Sequence, residues 1–221
     1  MERALVIGAS GGIGAAMVAA LLARGVAVKG LSRQVDGLDV TDEASVLRMV
    51  GALEGPFDLV FVATGALAPP EQGPEKALRG LDAGQLAAQF ALNATGPMLI
   101  LKHALRLMPR DSRAVFAALS ARVGSIGDNG LGGWYSYRAS KAALNQMLHT
   151  AAIEVARNRP QAVVVALHPG TVDTGFGAAF HAGRATITPA EAARRLLSVI
   201  DGLTPALTGG FFDHLGAVVP W

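Results

Sequence analysis

The sequence predicts an α/β protein, a single domain built on a doubly wound parallel sheet with helices on both faces. Five short runs are apolar throughout or nearly so, as strands are when both faces of a parallel sheet are covered. Longer stretches with helical periodicity lie between these runs, and such alternation implies right-handed crossovers. Neither a linker nor an internal repeat divides the 221 residues, so we expect one domain that spans residues 1–221.

The elements follow one another in the order that this fold requires. The predicted strands are residues 4–7, 26–31, 57–63, 114–119 and 162–167, and the predicted helices are residues 13–24, 42–53, 83–108 and 135–158. Gly25 is placed to end the first helix, and Thr41 and Asp42 offer an N-cap for the second. The Gly/Pro-rich segments 65–80 and 124–133 follow strands. We expect them to be loops at the carboxyl edge of the sheet, where ligands bind in open α/β folds.

Composition argues against several classes of protein. Hydrophobic residues make up 51% of the chain and charged residues 16%, which allows a sizeable core and is not typical of a disordered chain. The formal charge is +2 and there is no run of Lys or Arg, so nucleic acid is not an expected partner. No apolar run reaches the roughly 20 residues of a membrane helix, no leader precedes the first strand, and cysteine is absent. We therefore expect a cytoplasmic protein that does not bind membranes. The histidines lack partners at ligand spacing, so no metal site is expected.

A glycine-rich run connects the first predicted strand to the first predicted helix. Its spacing is Gly-x-x-x-Gly-x-Gly, beginning at residue 8. Glycines at such a turn let the backbone approach a pyrophosphate that rests on the helix N-terminus. Together with the alternating elements they predict a Rossmann-type dinucleotide-binding fold. The residues expected to contact the cofactor here are Gly8, Ser10, Gly12, Ile13 and Gly14. The alternative is a glycine-rich turn that binds no ligand.

The end of the second predicted strand indicates which cofactor binds. NAD-binding proteins usually carry an acid here for the ribose 2′-hydroxyl. This chain has Ser32 and then Arg33, whose planar guanidinium can pair with a 2′-phosphate. Asp36 is the nearby acid, and we expect it to lie beyond the strand. We therefore favour NADP(H) over NAD(H), with Asp39 and Val40 near the adenine. The alternatives are a solvated Arg33 and an Asp39 that only shapes a turn and helix cap.

Tyr137 and Lys141 lie four residues apart in a predicted helix, and Tyr137 comes seventeen positions after Ser120. Residues four apart share a helix face, so we expect the ammonium to stand beside the phenol and to lower its pKa from about 10. A phenol so tuned exchanges a proton with a carbinol or carbonyl, while the Ser120 hydroxyl holds the same oxygen. Tyr135 is a rival, but it lacks a lysine four residues on. The alternative is a surface Tyr/Lys contact and a serine that caps a strand end.

In this order, the glycine run, Ser120 and the Tyr137/Lys141 pair make the chain resemble a short-chain dehydrogenase/reductase over essentially its whole length. Segments 73–76, 119–126, 132–141 and 209–221 resemble the C-factor/sniffer-type carbonyl reductase branch. Two features depart from the family pattern. The family's Asn-Asn-Ala-Gly appears as Val-Ala-Thr-Gly at residues 62–65, and a longer loop separates Ser120 from Tyr137.

The resemblance implies a role for each motif. Tyr137 donates the proton to a carbonyl oxygen, Lys141 also holds the nicotinamide ribose, and Asn93 orders a water that links Lys141 to solvent. A later Pro-Gly turn receives the nicotinamide carboxamide and contacts the phosphates, and the segment that replaces Asn-Asn-Ala-Gly meets the ribose. The residues in these two segments are Ala63, Thr64, Gly65, Pro169, Gly170, Val172 and Thr174. His168, just before the Pro-Gly turn, is expected to be a satisfied strand-end histidine.

We therefore expect an NADP(H)-dependent oxidoreductase that reduces a carbonyl of a small molecule to an alcohol, or catalyses the reverse. A nucleotide-binding signalling protein of the C-factor type with little turnover is an alternative, and a lyase or epimerase is a further one. The short segment 175–188 predicts a small lid and an open site. Extra apolar positions on two helices predict a homodimer or homotetramer. They are Leu86, Phe90, Leu99, Leu101, Leu105, Leu144, Met147, Leu148 and Ile153.

Overall fold

The computed structural model describes residues 1–69, 73–176 and 185–221, and within them one sheet of six parallel strands. The strands are β1 (Arg3–Ile7), β2 (Ala27–Leu31), β3 (Leu59–Val62), β4 (Ala114–Leu119), β5 (Ala162–His168) and β6 (Phe211–Asp213). They lie in the order β2-β1-β3-β4-β5-β6. The order therefore reverses at β1, and the crevice beside such a switch point is where doubly wound sheets bind ligands.

Helices cover both faces of the sheet. They are α1 (Gly12–Ala23), α2 (Arg33–Asp36), α3 (Glu43–Gly51), α4 (Ala83–Phe90), α5 (Gly96–Ala104), α6 (Tyr135–Asn158) and α7 (Pro189–Gly202). One core cluster packs α1 and α7 on the sheet, and the other packs α3, α5 and α6 on the opposite face. Ala4 and Val6 of β1 belong to the first cluster, whereas Leu5 and Ile7 belong to the second, as the alternation of a strand requires. The predicted fold class is confirmed.

Two predicted helix ends are confirmed as well. Gly25 follows α1 with φ +75°, and the Asp42 carboxylate accepts a hydrogen bond from Ala44 N at 3.0 Å at the start of α3. Residues 37–40, between α2 and α3, do not form a strand. β2 is the first strand in the order and thus an edge strand, and Leu31 is its one buried residue.

The predicted helix over residues 83–108 differs from the observed one. α4 and α5 are joined by a π-helical turn, Ala91–Thr95, and a 3₁₀ turn, Leu105–Leu107, follows α5. Pro97 stands at the start of α5 and has no N–H to donate to the Asn93 carbonyl four residues earlier, which favours a widened turn. Such turns are frequent at functional sites. An irregularity that apolar periodicity does not reveal thus sets the position of Asn93.

The sequence prediction lacks three observed elements, α2, α7 and β6. The start of α7 carries a recognisable signal, because Thr188 Oγ1 accepts from Glu191 N at 3.2 Å and Pro189 occupies the first helical position. β6 has only three residues, too few for a pattern. Most of the predicted lid, residues 175–188, and part of the predicted loop over residues 65–80 lie outside the described residues.

The extra apolar positions on the long helices are mostly covered by the chain itself. Leu101, Leu144 and Leu148 belong to the core, whereas Ile153 is 51% exposed. The other positions are half-buried: Leu86, Phe90, Leu99, Leu105 and Met147. The predicted oligomer therefore stays a prediction. Within residues 1–69, 73–176 and 185–221, no helix has the length and hydropathy needed to cross a bilayer.

Candidate active site

The turn between β1 and α1 is shaped by glycines that cannot carry a side chain. Gly8 has φ +84°, and a Cβ on Gly14 would lie 2.1 Å from Gly8 O. A Cβ on Gly12 would lie 2.6 Å from Thr174 Cγ2, so this turn also touches the Pro-Gly turn after β5. α1 has neither a side-chain N-cap nor an acid in its first turn, and its N-terminal N–H groups remain available to an anion. The turn therefore fits a pyrophosphate.

A cavity of about 940 Å³ opens at the carboxyl edge of the sheet. Cofactor and ligand sites commonly occupy about 300–1,000 Å³. The predicted site residues that line it are Gly12, Ile13, Gly14, Ala63, Thr64, Gly65, Ser120, Tyr137, Lys141, Pro169, Gly170, Val172 and Thr174. Predicted site residues outside its lining are Gly8, Ser10, Ser32, Arg33, Asp39, Val40 and Asn93. The fold thus brings three candidate catalytic residues and most of the candidate cofactor contacts into one cavity.

The Thr64 hydroxyl indicates that a polar ligand binds in the cavity. Its Oγ1 is buried and has no hydrogen-bond partner among the residues that the structure describes. Buried hydroxyl groups are normally paired, since an unpaired one costs about 1–3 kcal/mol. Thr64 lines the cavity next to Gly65. A ribose or another polar group bound in the cavity would satisfy this hydroxyl.

Asp36 lies beyond β2, as predicted, but its carboxylate turns back to the strand end. It accepts from Ser32 N at 2.8 Å and from Ser32 Oγ at 3.3 Å, while Ser32 Oγ accepts from Val35 N at 3.2 Å. These bonds cap α2 and occupy both polar side chains. Arg33 is exposed, and across the described parts of the chain its guanidinium has no hydrogen bond or ion pair.

Asp39 shapes the turn that leads to α3. Its Oδ1 accepts from Thr41 Oγ1 at 2.7 Å and from Thr41 N at 2.9 Å. These two bonds lower the pKa of the Asp39 carboxyl, and the positive charge of Arg33 adds a smaller effect. The side chain thus does what the turn alternative predicts. A contact of Asp39 or the buried Val40 with adenine stays a prediction.

Tyr137 and Lys141 are buried one turn apart on α6, and both line the cavity. Lys141 Nζ lies 5.9 Å from the centre of the Tyr137 ring and donates to Leu119 O at 2.8 Å. Burial raises the pKa of Tyr137 and lowers the pKa of Lys141 to about 7. The expectation that the Tyr137 pKa is lowered is therefore wrong for the protein without bound ligands. The cause is burial, and the Lys141 ammonium donates its hydrogen bond to the backbone.

Ser120 follows β4, and a residue that the sequence analysis does not identify holds its side chain. Ser120 Oγ donates to Asn145 Oδ1 at 2.6 Å, and both side chains are buried. Asn145 lies four residues after Lys141, so Tyr137, Lys141 and Asn145 follow one another along one face of α6. That spacing is the signal from which Asn145 could be found in the sequence.

Asn93 joins three segments around the site. Asn93 Nδ2 donates to Ala66 O at 2.9 Å and Ala66 N donates to Asn93 Oδ1 at 3.0 Å, which binds the chain after β3 at two points. Nδ2 also contacts Gln89 Oε1 and lies 3.3 Å from Ser140 Oγ, and the Ser140 hydroxyl donates to Tyr137 O at 2.9 Å. Asn93 therefore braces the residue directly after segment 62–65, which replaces the family's Asn-Asn-Ala-Gly. The water predicted at Asn93 stays a prediction.

His168 differs from its expected role. The residue lines the cavity, and its buried Nδ1 has no hydrogen-bond partner in the part of the chain that the structure describes. Burial, and then the charges of His214 and Arg122, lower its pKa to about 4. The expectation of a fully satisfied histidine is wrong for this nitrogen, because β5 ends with the ring at the cavity wall. The imidazole is neutral at physiological pH.

Comparison with known proteins identifies the family. A family model described as enoyl-(acyl carrier protein) reductase matches residues 27–200. The chain belongs to the short-chain dehydrogenase/reductase family. It is accordingly an oxidoreductase, a dehydrogenase/reductase of the kind that acts on CH–OH groups. The family resemblance that the sequence motifs indicate is confirmed.

Similar members of this family come from several bacteria. C-signal of Myxococcus xanthus is 36% identical over 168 residues, which cover 76% of this chain and 94% of the relative. The 1-hydroxy-2-glutathionyl-2-methyl-3-butene dehydrogenase of Rhodococcus sp. (strain AD45) is 31% identical over 236 residues, and the match covers 100% of both chains. A putative short-chain dehydrogenase/reductase from Burkholderia multivorans has been solved with bound NADP. It is 25% identical, with a TM-score of 0.81, and the match covers 100% of this chain and 99% of that one. The similarity to C-signal agrees with the C-factor-like branch.

Proposed function

We propose that this short-chain dehydrogenase/reductase uses NADP(H) to reduce a carbonyl to an alcohol, or to catalyse the reverse, with Ser120, Tyr137, Lys141 and Asn93 as active-site residues. The main support is that three of these residues line the same cavity as the glycine turn and the turn over residues 169–174. Cofactor binding and catalysis then belong to one domain, residues 1–221.

The side chains of the cavity suit this reaction. When bound, NADP(H) would supply a hydride to the carbonyl carbon, or would accept one from the carbinol carbon in the reverse direction. The Tyr137 phenol, which is protonated at neutral pH, would give its proton to the carbonyl oxygen. Ser120 Oγ would hold that oxygen. Lys141, with a pKa of about 7, would bind the ribose and restore the proton of Tyr137.

The preference for NADP(H) rests on the residues after β2. The carboxylates of Asp36 and Asp39 are already bound to Ser32 and Thr41, whereas Arg33 presents an exposed guanidinium. Arg33 could therefore pair with a ribose 2′-phosphate of opposite charge. The two carboxylates that could accept from a ribose 2′-hydroxyl already accept hydrogen bonds from Ser32 and Thr41. The bound NADP of the Burkholderia structure, a member of the same family, is consistent with this choice.

A second candidate is a nucleotide-binding regulator with little turnover, which the similarity to C-signal favours. A panel of carbonyl compounds, incubated with NADPH or NADH and followed by the loss of nicotinamide absorbance, distinguishes the two. Saturable, protein-dependent oxidation of NADPH by any member of the panel supports the enzyme. Tight NADPH binding in calorimetry without oxidation by any member supports the regulator.

We also propose a homodimer or homotetramer. Ile153 is exposed and several apolar residues of α4 and α6 are half-buried, and a two-fold axis that pairs these helices would cover them, since apolar area is costly to leave in water. Sedimentation at micromolar concentration tests this proposal. A single species at the monomer mass of 22.6 kDa would rule it out.

A further inference from the structure

The chain that enters α6 has an unusual backbone. Gly132, Gly133 and Trp134 follow one another in the left-handed region, with φ of +64°, +65° and +53°. Glycine adopts this region freely, but Trp134 is the one non-glycine residue with positive φ among the described residues. A bulky residue held there is strained, and such strain persists where the surrounding structure enforces it, frequently at a functional site.

Glu75 enforces this conformation. Its main-chain oxygen accepts from Trp134 N at 2.5 Å, and its carboxylate accepts from Ser136 N at 3.2 Å and from the Ser136 hydroxyl. Glu75 is itself buried, so it is fixed within the fold. The main chain of Trp134 is therefore held by a residue that lies outside the helix that it precedes.

The consequence is an aromatic wall around the candidate proton donor. The Trp134 ring meets Tyr137 edge-on, with centroids 6.3 Å apart, and the Phe176 ring lies 6.1 Å from Tyr137 at 55°. Both rings line the cavity that contains Ser120 and Tyr137. The same lining includes the apolar side chains of Leu67, Val123 and Leu131.

The cationic side chains that line this cavity already make hydrogen bonds within the protein. Arg122 binds Asp128 at 3.3 Å and Asp213 at 3.4 Å, and Arg138 donates to two main-chain carbonyls at 2.9 and 3.3 Å. Lys141 donates to another carbonyl at 2.8 Å. An anionic substrate would compete with the carboxylates of Asp128 and Asp213 for Arg122 and with main-chain carbonyls for Arg138 and Lys141, whereas an uncharged substrate leaves these bonds in place.

We propose that the substrate is an uncharged carbonyl compound with a planar aromatic ring next to the carbonyl, and that this ring packs against Trp134 and Phe176. The proposal rests on the proposed carbonyl reduction and adds the class of substrate to it. Aromatic contacts contribute about 0.5–1.5 kcal/mol beyond the area that they bury, which corresponds to about 2- to 12-fold in kcat/KM for each ring.

Acetophenone and cyclohexyl methyl ketone test the proposal, because they share the carbonyl and differ in the planarity of the ring. The quantity to measure is kcat/KM for acetophenone divided by kcat/KM for cyclohexyl methyl ketone. This substrate ratio is expected to exceed one in wild type, and Trp134→Asn and Phe176→Leu should each lower it about 2- to 12-fold. Asparagine tolerates the left-handed region, so the first variant removes the ring without further backbone strain. Tyr135→Leu is the matched control, since Tyr135 is the neighbouring aromatic residue and is outside the cavity lining.

If the substrate ratio of wild type is near one, or if neither variant changes it, the proposed substrate class is wrong. Such a result leaves the proposed carbonyl reduction unaffected. Faster reduction of 4-acetylbenzoate, which is anionic, than of 4-methylacetophenone contradicts the proposed substrate class as well.

A binding measurement tests the aromatic site independently of carbonyl reduction. The chain has two tryptophans, so Trp221→Phe leaves Trp134 as the fluorescent reporter. Saturable quenching by acetophenone but not by the cyclohexyl ketone supports the aromatic site even if no ketone is reduced, whereas equal quenching by both ketones contradicts it.

Discussion

The hydrogen bond between Ser120 and Asn145 determines where the serine hydroxyl points. Its proton is directed at Asn145 Oδ1, 2.6 Å away, in a buried environment. The bond fixes the position of Ser120 Oγ beside the cavity. To donate a hydrogen bond to a substrate oxygen, the hydroxyl has to rotate its proton away from Asn145. Asn145 is thus a positioning residue that acts through Ser120.

A double-mutant cycle of Ser120→Ala and Asn145→Leu measures this coupling. Each single variant should lower kcat/KM, and Asn145→Leu should have less than about a 2-fold effect when Ser120 is already alanine, because residues that share one interaction are not additive. Gln146→Leu, an exposed amide on the same helix, is the control. A full Asn145 effect in the Ser120→Ala background would show that Asn145 acts by another route.

Arg33 carries the predicted choice of cofactor. Arg33→Ala should weaken NADPH binding by about 1.5–3 kcal/mol, the scale of a hydrogen bond to a charged group, and leave NADH binding nearly unchanged. Arg48→Ala removes the same charge from an exposed position on α3 and serves as the control. Calorimetric titration of both cofactors provides the comparison. Equal losses for NADPH and NADH would contradict a 2′-phosphate contact.

Sequence spacing locates the candidate site residues better than it describes their states. Ser120, Tyr137 and Lys141 meet in one cavity because strand ends and helix faces follow simple periodicities. The Tyr137 pKa moves opposite to the expected direction because burial depends on the whole fold, which spacing does not contain. The two-point bond of Asn93 to Ala66 likewise depends on a tertiary contact between segments 27 residues apart.

At the scale of elements, Glu75 joins the loop after β3 to the start of α6. Its carboxylate accepts hydrogen bonds from Ser136, and a negative charge at a helix N-terminus is favourable. Trp134, at the N-cap position, provides no side-chain cap hydrogen bond, so Glu75 supplies this function from a distant part of the sequence. The helix that carries Tyr137 and Lys141 therefore depends on a residue 60 positions before its start.

Glu75→Ala should lower the free energy of unfolding by about 1–3 kcal/mol, because it leaves buried donors of Ser136 without partners. Glu54→Ala, which removes an exposed carboxylate, should have little effect. Urea denaturation followed by circular dichroism measures both variants. An equally small effect of the two changes would mean that Glu75 does not stabilise the start of α6.

The elements themselves were predictable to different degrees. Short apolar runs predict the five longer strands, and helical periodicity predicts α6, because both leave a clear pattern in the sequence. The π-helical turn Ala91–Thr95 depends on Pro97 and on a tertiary contact, and neither changes the apolar periodicity. α7 begins with a cap signal at Thr188, but its helical pattern follows a Gly-rich segment that suggests a loop.

On the scale of the whole molecule, buried titratable groups make stability depend on pH. The free energy of unfolding rises with pH wherever the unfolded chain binds more protons than the folded protein. His168, with a pKa of about 4 against 6.5, has this effect between those two values. Lys141 has it between about 7 and 10.5. The raised pKa of Tyr137 has the opposite effect above pH 10.

The free energy of unfolding of wild type should therefore increase between pH 4 and 6.5 by on the order of 3 kcal/mol more than that of His168→Gln, which lacks the titrating ring. Urea denaturation at half-unit steps of pH measures the difference. Parallel curves for wild type and His168→Gln would show that His168 is not buried in neutral form.

Tyr137→Phe tests most directly whether the protein reduces carbonyls with a tyrosine acid. The variant keeps the ring that packs with Trp134 and Phe176 but removes the proton. NADPH-dependent reduction should fall by about 10²–10⁴-fold, the contribution typical of a general acid. The affinity for NADPH, measured by calorimetry on the same preparation, should stay unchanged, and Tyr135→Phe should retain full activity. A Tyr137→Phe variant that reduces carbonyls at the wild-type rate would contradict the proposed chemistry.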